Sequence, residues 1–180
     1  MGLCEMGLKM DEFNLEGRST IRAFRAGVIP YLLSEGMTLE EAVQFAIHAG
    51  FLRHENTVHN LVTTAGKVLV ADFLMGETRT GINYHAIGTS PTAPAIGDVK
   101  LGVEAARKAV TSIARSSVSV LVSTFYTAAQ CTFNIKEVGL FGNGATAVAD
   151  SGTLFNHAAQ DEDNSAGLND LTFEYEVVIK

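Results

Sequence analysis

Residues 171–180 read LTFEYEVVIK, and apolar and polar side chains alternate along almost the whole stretch. Successive side chains of a β-strand point to opposite faces, so a period of two indicates a strand with one face in a core. The apolar set on one side is Leu171, Phe173, Tyr175, Val177 and Ile179. The opposite face, which carries two glutamates and Lys180, is expected to meet water or a partner.

Five stretches upstream show similar β patterns, separated by short turn-like segments: 83–89, 107–115, 117–127, 131–141 and 152–159. In the fourth, Ile135 and Val138 are three residues apart, which predicts a β-bulge near Lys136–Glu137. About six short strands without intervening helices favour an antiparallel β-sandwich over a parallel, helix-covered sheet.

The pattern before residue 57 is helical. Ser19 is a candidate N-cap for a first helix with a kink expected at Pro30. Thr38 and Glu41 have the spacing of a capping box, which predicts a second helix ending at Gly50. Together these two helices would form a hairpin. A third helix is predicted at 63–75, with Gly76 after it.

The sequence therefore predicts a mainly β protein with an α-helical N-terminal part. Residues 1–56 are interpreted as a helical docking arm, and residues 57–180 as an antiparallel β-sandwich domain that begins with the helix 63–75. A short hairpin has too little core to stand alone, so its apolar residues are expected to pack on the rest of the chain or on a neighbouring subunit. These candidates for an assembly interface are Ile21, Phe24, Val28, Leu32, Leu39, Val43 and Ile47.

The amino-acid composition restricts the classes of partner that the chain can bind. Charged residues make up only 18% of the 180 residues and apolar residues 47%, so part of the surface is expected to be apolar and covered by a partner. The formal net charge is −7, and no basic stripe is present, which argues against nucleic acid and against anionic membranes as partners.

The residue types that usually carry chemistry do not form a motif. His54 and His59 are interpreted as parts of a polar linker between helices, and His85 and His157 as strand residues. The acidic stretch 161–167 resembles the start of a calcium loop. Counted from Asp161, however, the sixth and twelfth positions are Ala166 and Thr172, where an EF-hand needs Gly and Glu. A solvated loop is therefore preferred over a calcium site.

Cys4 and Cys131 have no metal-ligand spacing, and Cys131 is expected to be a buried thiol. No cofactor, metal or catalytic residue is therefore predicted, and the chain is expected not to be an enzyme.

A series of motifs in residues 58–180 resembles a family of tailed-bacteriophage virion proteins that are often labelled tail-fibre, tail or minor structural proteins. The motifs occur in the order NLVTTAGK (60–67), YHAIGTSPTAP (84–94), IKEVGLF (135–141) and SGTL (151–154). Ser90 stands where the family usually has Gly, and His157-Ala158 stands in place of an Ala-Arg pair. Residues 1–56 match no part of the pattern.

The resemblance implies a virion protein, made in the host cytoplasm, that assembles with itself and with other virion proteins in a tail, neck or fibre base. A capsid decoration protein is the first alternative. A receptor- or carbohydrate-binding module, which would use Tyr84 and Tyr126, is the second. The residues expected to shape the module, rather than to react, are Gly88, Pro91, Pro94, Asp98, Glu104, Arg107, Glu137, Gly139 and Phe141. Glu104 and Arg107 are three residues apart, a spacing that predicts an ion pair on a short helical turn.

Overall fold

The computed structural model describes residues 15–180, in which nine strands and three α-helices form one unit. A 3₁₀ turn at Ala128–Gln130 precedes the seventh strand. The elements in chain order are β1 (Leu15–Arg25), α1 (Val28–Ser34), α2 (Leu39–His48), β2 (Leu52–Val62), α3 (Thr64–Leu74), β3 (Ile82–Gly88), β4 (Glu104–Ala109), β5 (Ser112–Ser116), β6 (Ser119–Tyr126), β7 (Asn134–Gly142), β8 (Thr153–Asp163) and β9 (Asn169–Ile179).

All described strand pairs are antiparallel and follow the order β4-β3-β7-β8-β2-β1-β9-β6-β5. β4 and β5 end this order on either side, yet only Val110 and Thr111 separate them in the chain. The Val110 amide donates to Asn83 O, and the Thr111 amide donates to Ser123 O. One continuous segment thus joins the two outer margins of the sheet, which must curl to bring them together.

The main core lies inside this curl. It combines buried side chains from both halves of the sheet, among them Ile87 and Val138 on one side and Val122 and Phe173 on the other. The prediction of a mainly antiparallel β protein is confirmed. The predicted number of strands was too low, and the two layers belong to one curled sheet. The alternation in β9 is confirmed for Leu171, Phe173, Tyr175 and Val177, which are all buried. It fails at the two ends of the pattern, where Thr172 is buried as well and Ile179 is 42% exposed.

The first predicted helix is wrong over its first half, because residues 15–25 form β1 and helix α1 starts only at Val28. The inward positions of β1 include Gly17 and Ser19 besides Ile21 and Ala23, so small and polar residues conceal the period of two. Phe24 is buried in the separate cluster formed with α1 and α2, which adds an apolar residue out of phase. The helical spacing of Ile21 and Phe24 arose from these two effects.

The predicted domain boundary at 56/57 is also wrong, since it falls inside β2. β1 pairs with both β2 and β9, so these two N-terminal strands lie in the middle of the sheet, and the helices between them do not form a separate arm. β2 carries polar side chains on both faces, and for this reason it resembled a linker in sequence. The part of the predicted arm at residues 1–14, with Cys4, lies outside the described residues.

The remaining helix predictions are confirmed. Thr38 and Glu41 form the capping box of α2, Thr63 caps α3, and Gly50 and Gly76 have positive φ angles of 77° and 78° just after the helices end. Among residues 15–180, no helix combines the length and hydropathy needed to cross a bilayer.

The seven candidates for an assembly interface are covered by the chain itself. Five are buried: Ile21, Phe24, Leu32, Leu39 and Val43. Val28 and Ile47 are half-buried and pack against the cluster that α1 and α2 form with Phe24 and Phe125. These residues stabilise the monomer, and the exposed apolar residues of the same hairpin are Tyr31 and Phe45.

Candidate functional site

A long irregular segment, residues 89–103, is fixed to the sheet by the carboxylate of Glu137. This side chain is fully buried on β7. Its Oε1 accepts the backbone N–H groups of Ser90 (3.2 Å) and Val103 (2.8 Å), and its Oε2 accepts that of Gly102 (2.9 Å). Both ends of the segment are thus held by one side chain. The predicted bulge before Glu137 is confirmed by a register shift between Ile135 and Glu137.

His157 connects Glu137 to the middle of the same segment. Its Nε2 lies 2.9 Å from Oε2 of Glu137, and its Nδ1 lies 2.7 Å from Oδ2 of Asp98. Asp98 also accepts the backbone N–H of Ala95 at 2.7 Å. Burial would raise the pKa of Asp98, but the Ala95 and His157 hydrogen bonds outweigh it and hold the pKa below its ordinary value. Asp98, Glu137 and His157 are called the anchoring cluster below.

Two glycines leave space for this arrangement. A Cβ atom at Gly88 would lie 2.4 Å from Oε1 of Glu137, and one at Gly139 would lie 2.8 Å from the carbonyl oxygen of Asn156. Neither position can accept a larger residue without moving the groups around it. Gly88 and Gly139 therefore allow neighbouring groups to pack closely beside the anchoring cluster.

Glu104 and Arg107 form a buried ion pair, as their spacing suggested. Nε and Nη2 of Arg107 lie 2.7 and 2.8 Å from the two carboxylate oxygens of Glu104. The guanidinium also lies over the ring of Phe141, 4.0 Å from its centroid, and donates to Ser151 O. The predicted helical turn is wrong, because both residues belong to β4. A register shift beside Glu104 allows residues three apart to meet, which a regular strand would prevent.

The positions that carry the sequence resemblance lie together in the fold, in and around residues 89–103. Pro91, Pro94 and Asp98 lie within residues 89–103, and the positions around this segment are Gly88, Glu104, Arg107, Glu137, Gly139 and Phe141. The hydrogen-bonding groups satisfy one another: both nitrogens of His157 face carboxylates, and Ser90 Oγ contacts Thr92 Oγ1. The arrangement is suited to holding a segment in one shape, and no hydroxyl is aligned on a free imidazole nitrogen.

Sequence reasoning missed His157 as a partner of this region. It is 20 residues from Glu137 and 59 from Asp98, so no local spacing connects the three. The only available signal was the departure from the family pattern at His157 and at Ser90, and both residues contact the region.

The other histidines have separate roles. His85 is fully buried, with its two ring nitrogens 3.1 Å and 2.9 Å from the hydroxyl oxygens of Tyr126 and Tyr175. Burial lowers the pKa of His85 to about 3. Tyr126 is therefore a core residue and is not exposed for stacking on a sugar. His54 lies on β2, not in a linker, and contacts Glu162 at 2.5 Å, while His59 is exposed on the same strand.

The acidic stretch 161–167 is organised by an amide side chain. Asn164 is buried, donates to Cys131 O and Asn169 O, and accepts the Asn169 amide. Within residues 15–180, no three His, Cys, Asp or Glu side chains are grouped so that they could hold a metal ion. Burial raises the pKa of the Cys131 thiol to about 12.

Comparison with protein-family models, with curated proteins and with solved structures finds no match to this chain.

Proposed function

We propose that the chain is a non-enzymatic structural component of a tailed-phage virion that assembles as a homo-oligomer in the tail, neck or fibre base. The observation that carries the proposal is the convergence of the motif residues on one fixed segment, 89–103. Charged side chains that are far apart in sequence bind backbone groups of this segment. Such use of ionisable residues, to fix the shape of the chain, supports a structural role.

The exposed surface supports the same function. Ile96, Val99 and Val103 lie on the anchored segment and are 51%, 67% and 55% exposed. A segment whose backbone is already fixed loses little conformational entropy when a partner covers it. An anchored segment with apolar side chains facing outward is suited to contact with another virion subunit.

The test is the composition of purified particles. We expect quantitative mass spectrometry of virions, isolated from the phage that encodes the chain, to find it at a fixed ratio to the major capsid protein. A few to a few dozen copies per particle would agree with a tail, neck or fibre-base position. Hundreds of copies would instead indicate the decoration protein, and absence from the particle would overturn both proposals.

A further inference from the structure

The two helical parts of the fold lie at opposite ends of one strand. β2 begins four residues after α2 and ends two residues before α3. An extended strand rises about 3.3 Å per residue, so the 11 residues of β2 separate the helix ends by roughly 35 Å. α3 therefore starts at the end of β2 that lies away from the α1–α2 hairpin.

One of these ends carries an apolar protrusion. Leu74 and Met75, at the C-terminal end of α3, are 79% and 78% exposed, more than the other exposed large apolar side chains of residues 15–180. They are called the α3 knob here. Glu77, two residues after Met75, is exposed, and the last carbonyl groups of a helix add partial negative charge. The knob is therefore apolar at its tip and negative at its edge.

The opposite end carries an apolar concavity. A pocket of about 680 Å³ is lined by the aromatic side chains Tyr31, Phe45 and Phe51, with Leu32 also in its wall. It is called the hairpin pocket here. Arg25 is the charged residue in its lining, and it is exposed. Within the described chain, none of the ion pairs involves Arg25 or Glu77.

We infer that the α3 knob of one copy docks in the hairpin pocket of the next, with Glu77 of the first copy facing Arg25 of the second. The exposed apolar tip faces an aromatic lining, Glu77 and Arg25 have opposite charges, and the helices that carry the two surfaces flank opposite ends of β2, which favours a contact between molecules. A contact between two different surfaces of the same protein is heterologous, and it builds a ring or an open helical stack. The inference rests on the proposed function only in taking the chain to assemble with itself. It adds which two surfaces are in contact in that assembly.

The experiment uses two full-length variants, one for each surface. Tyr31→Asp places a charge in the pocket, and Leu74→Asp places one on the knob; Tyr31 is 61% exposed, so neither change enters the core. By sedimentation velocity, we expect the wild type to form oligomers and each variant alone to be monomeric. An equimolar mixture should form a dimer and stop there, because it contains one intact knob and one intact pocket that face each other.

Controls separate folding from docking. Val118→Asp, on the exposed β5–β6 turn, should oligomerise like the wild type, and circular dichroism should show the same folded spectrum for all variants. Exchanging the charges, Arg25→Glu with Glu77→Arg, should restore the association that either change alone weakens. A wild type that stays monomeric, a single-surface variant that still dimerises, or a mixture that stays monomeric would each overturn the inference. The last two results would leave the virion proposal standing, since particle composition tests that independently.

Discussion

His157 lies between two carboxylates that belong to different parts of the fold, with Nε2 2.9 Å from Glu137 on β7 and Nδ1 2.7 Å from Asp98 in the segment 89–103. The imidazole ring thereby attaches the middle of that segment to strand β7 of the sheet. Because Glu137 also holds the two ends of the segment, the anchoring cluster fixes it at three points.

We expect Glu137→Gln to loosen the segment. An amide keeps one acceptor oxygen but replaces the other by a donor, so at least one backbone N–H among Ser90, Gly102 and Val103 loses its acceptor beside this fully buried side chain. An unsatisfied buried group costs about 1–3 kcal/mol of unfolding free energy. Denaturant titration gives the total, and hydrogen exchange at these three amides should accelerate well beyond exchange in β9.

The matched control is Glu174→Gln. The Glu174 side chain is 43% exposed and lies 3.6 Å from Arg22, and a surface carboxylate in such a long pair contributes about 0–1 kcal/mol. Equal losses of stability in the two variants would contradict the anchoring role of Glu137.

We expect Gly88→Ala to act through the same carboxylate. The added Cβ would lie 2.4 Å from Oε1 of Glu137, and such overpacking costs about 1–3 kcal/mol. Gly97→Ala is the control, since a Cβ there meets nothing within 4 Å and the position lies in the same segment. Thermal unfolding of both variants checks this, and a Gly97→Ala loss as large as that of Gly88→Ala would show that the clash is not the cause.

The parts of the fold that sequence predicted are those with local signals. The alternation in β9, the bulge before Glu137 and the capping box at Thr38 each depend on residues a few positions apart. β1 and β2 were missed because their place in the middle of the sheet is secured by backbone pairing on both sides, not by large apolar side chains. The anchoring cluster was partly predicted through Asp98 and Glu137, but its connection through His157 exists only in three dimensions.

We expect Arg107→Lys to destabilise the protein although it conserves charge. Lysine cannot supply the two parallel N–H groups that meet Glu104, nor the planar group that lies over Phe141. A buried carboxylate left without its partner costs about 3–5 kcal/mol, which sets the upper limit for this change. Denaturant titration should show a far smaller effect for Lys100→Ala, since Lys100 pairs with Asp150 on the surface. Similar effects of the two changes would contradict this account.

Cys131 should be unreactive in the native protein. Burial raises its pKa to about 12, so the thiolate that reacts with alkylating agents is nearly absent at pH 8. We expect iodoacetamide to leave the Cys131 peptide unmodified in the native state and to modify it fully in denaturant, as measured by peptide mass spectrometry. Rapid native labelling would show that this part of the core opens readily.

His85 should make the protein less stable in acid. Its pKa in the folded chain is about 3, below the ordinary value of 6.5, because burial disfavours the imidazolium. Between these two values the unfolded chain binds a proton that the folded chain does not. The free energy of unfolding should therefore fall as the pH drops below about 6.5, by up to about 1.4 kcal/mol per pH unit from this group, and stop falling through it near pH 3.

The difference between wild type and His85→Gln isolates this contribution, because the other titrating groups are common to both. Glutamine can still contact the hydroxyl groups of Tyr126 and Tyr175 but does not titrate, so its unfolding free energy should decline less steeply between pH 6.5 and pH 4. If His85→Gln keeps the wild-type slope, His85 is protonated in the folded chain, and the core around it must admit water or a counter-charge.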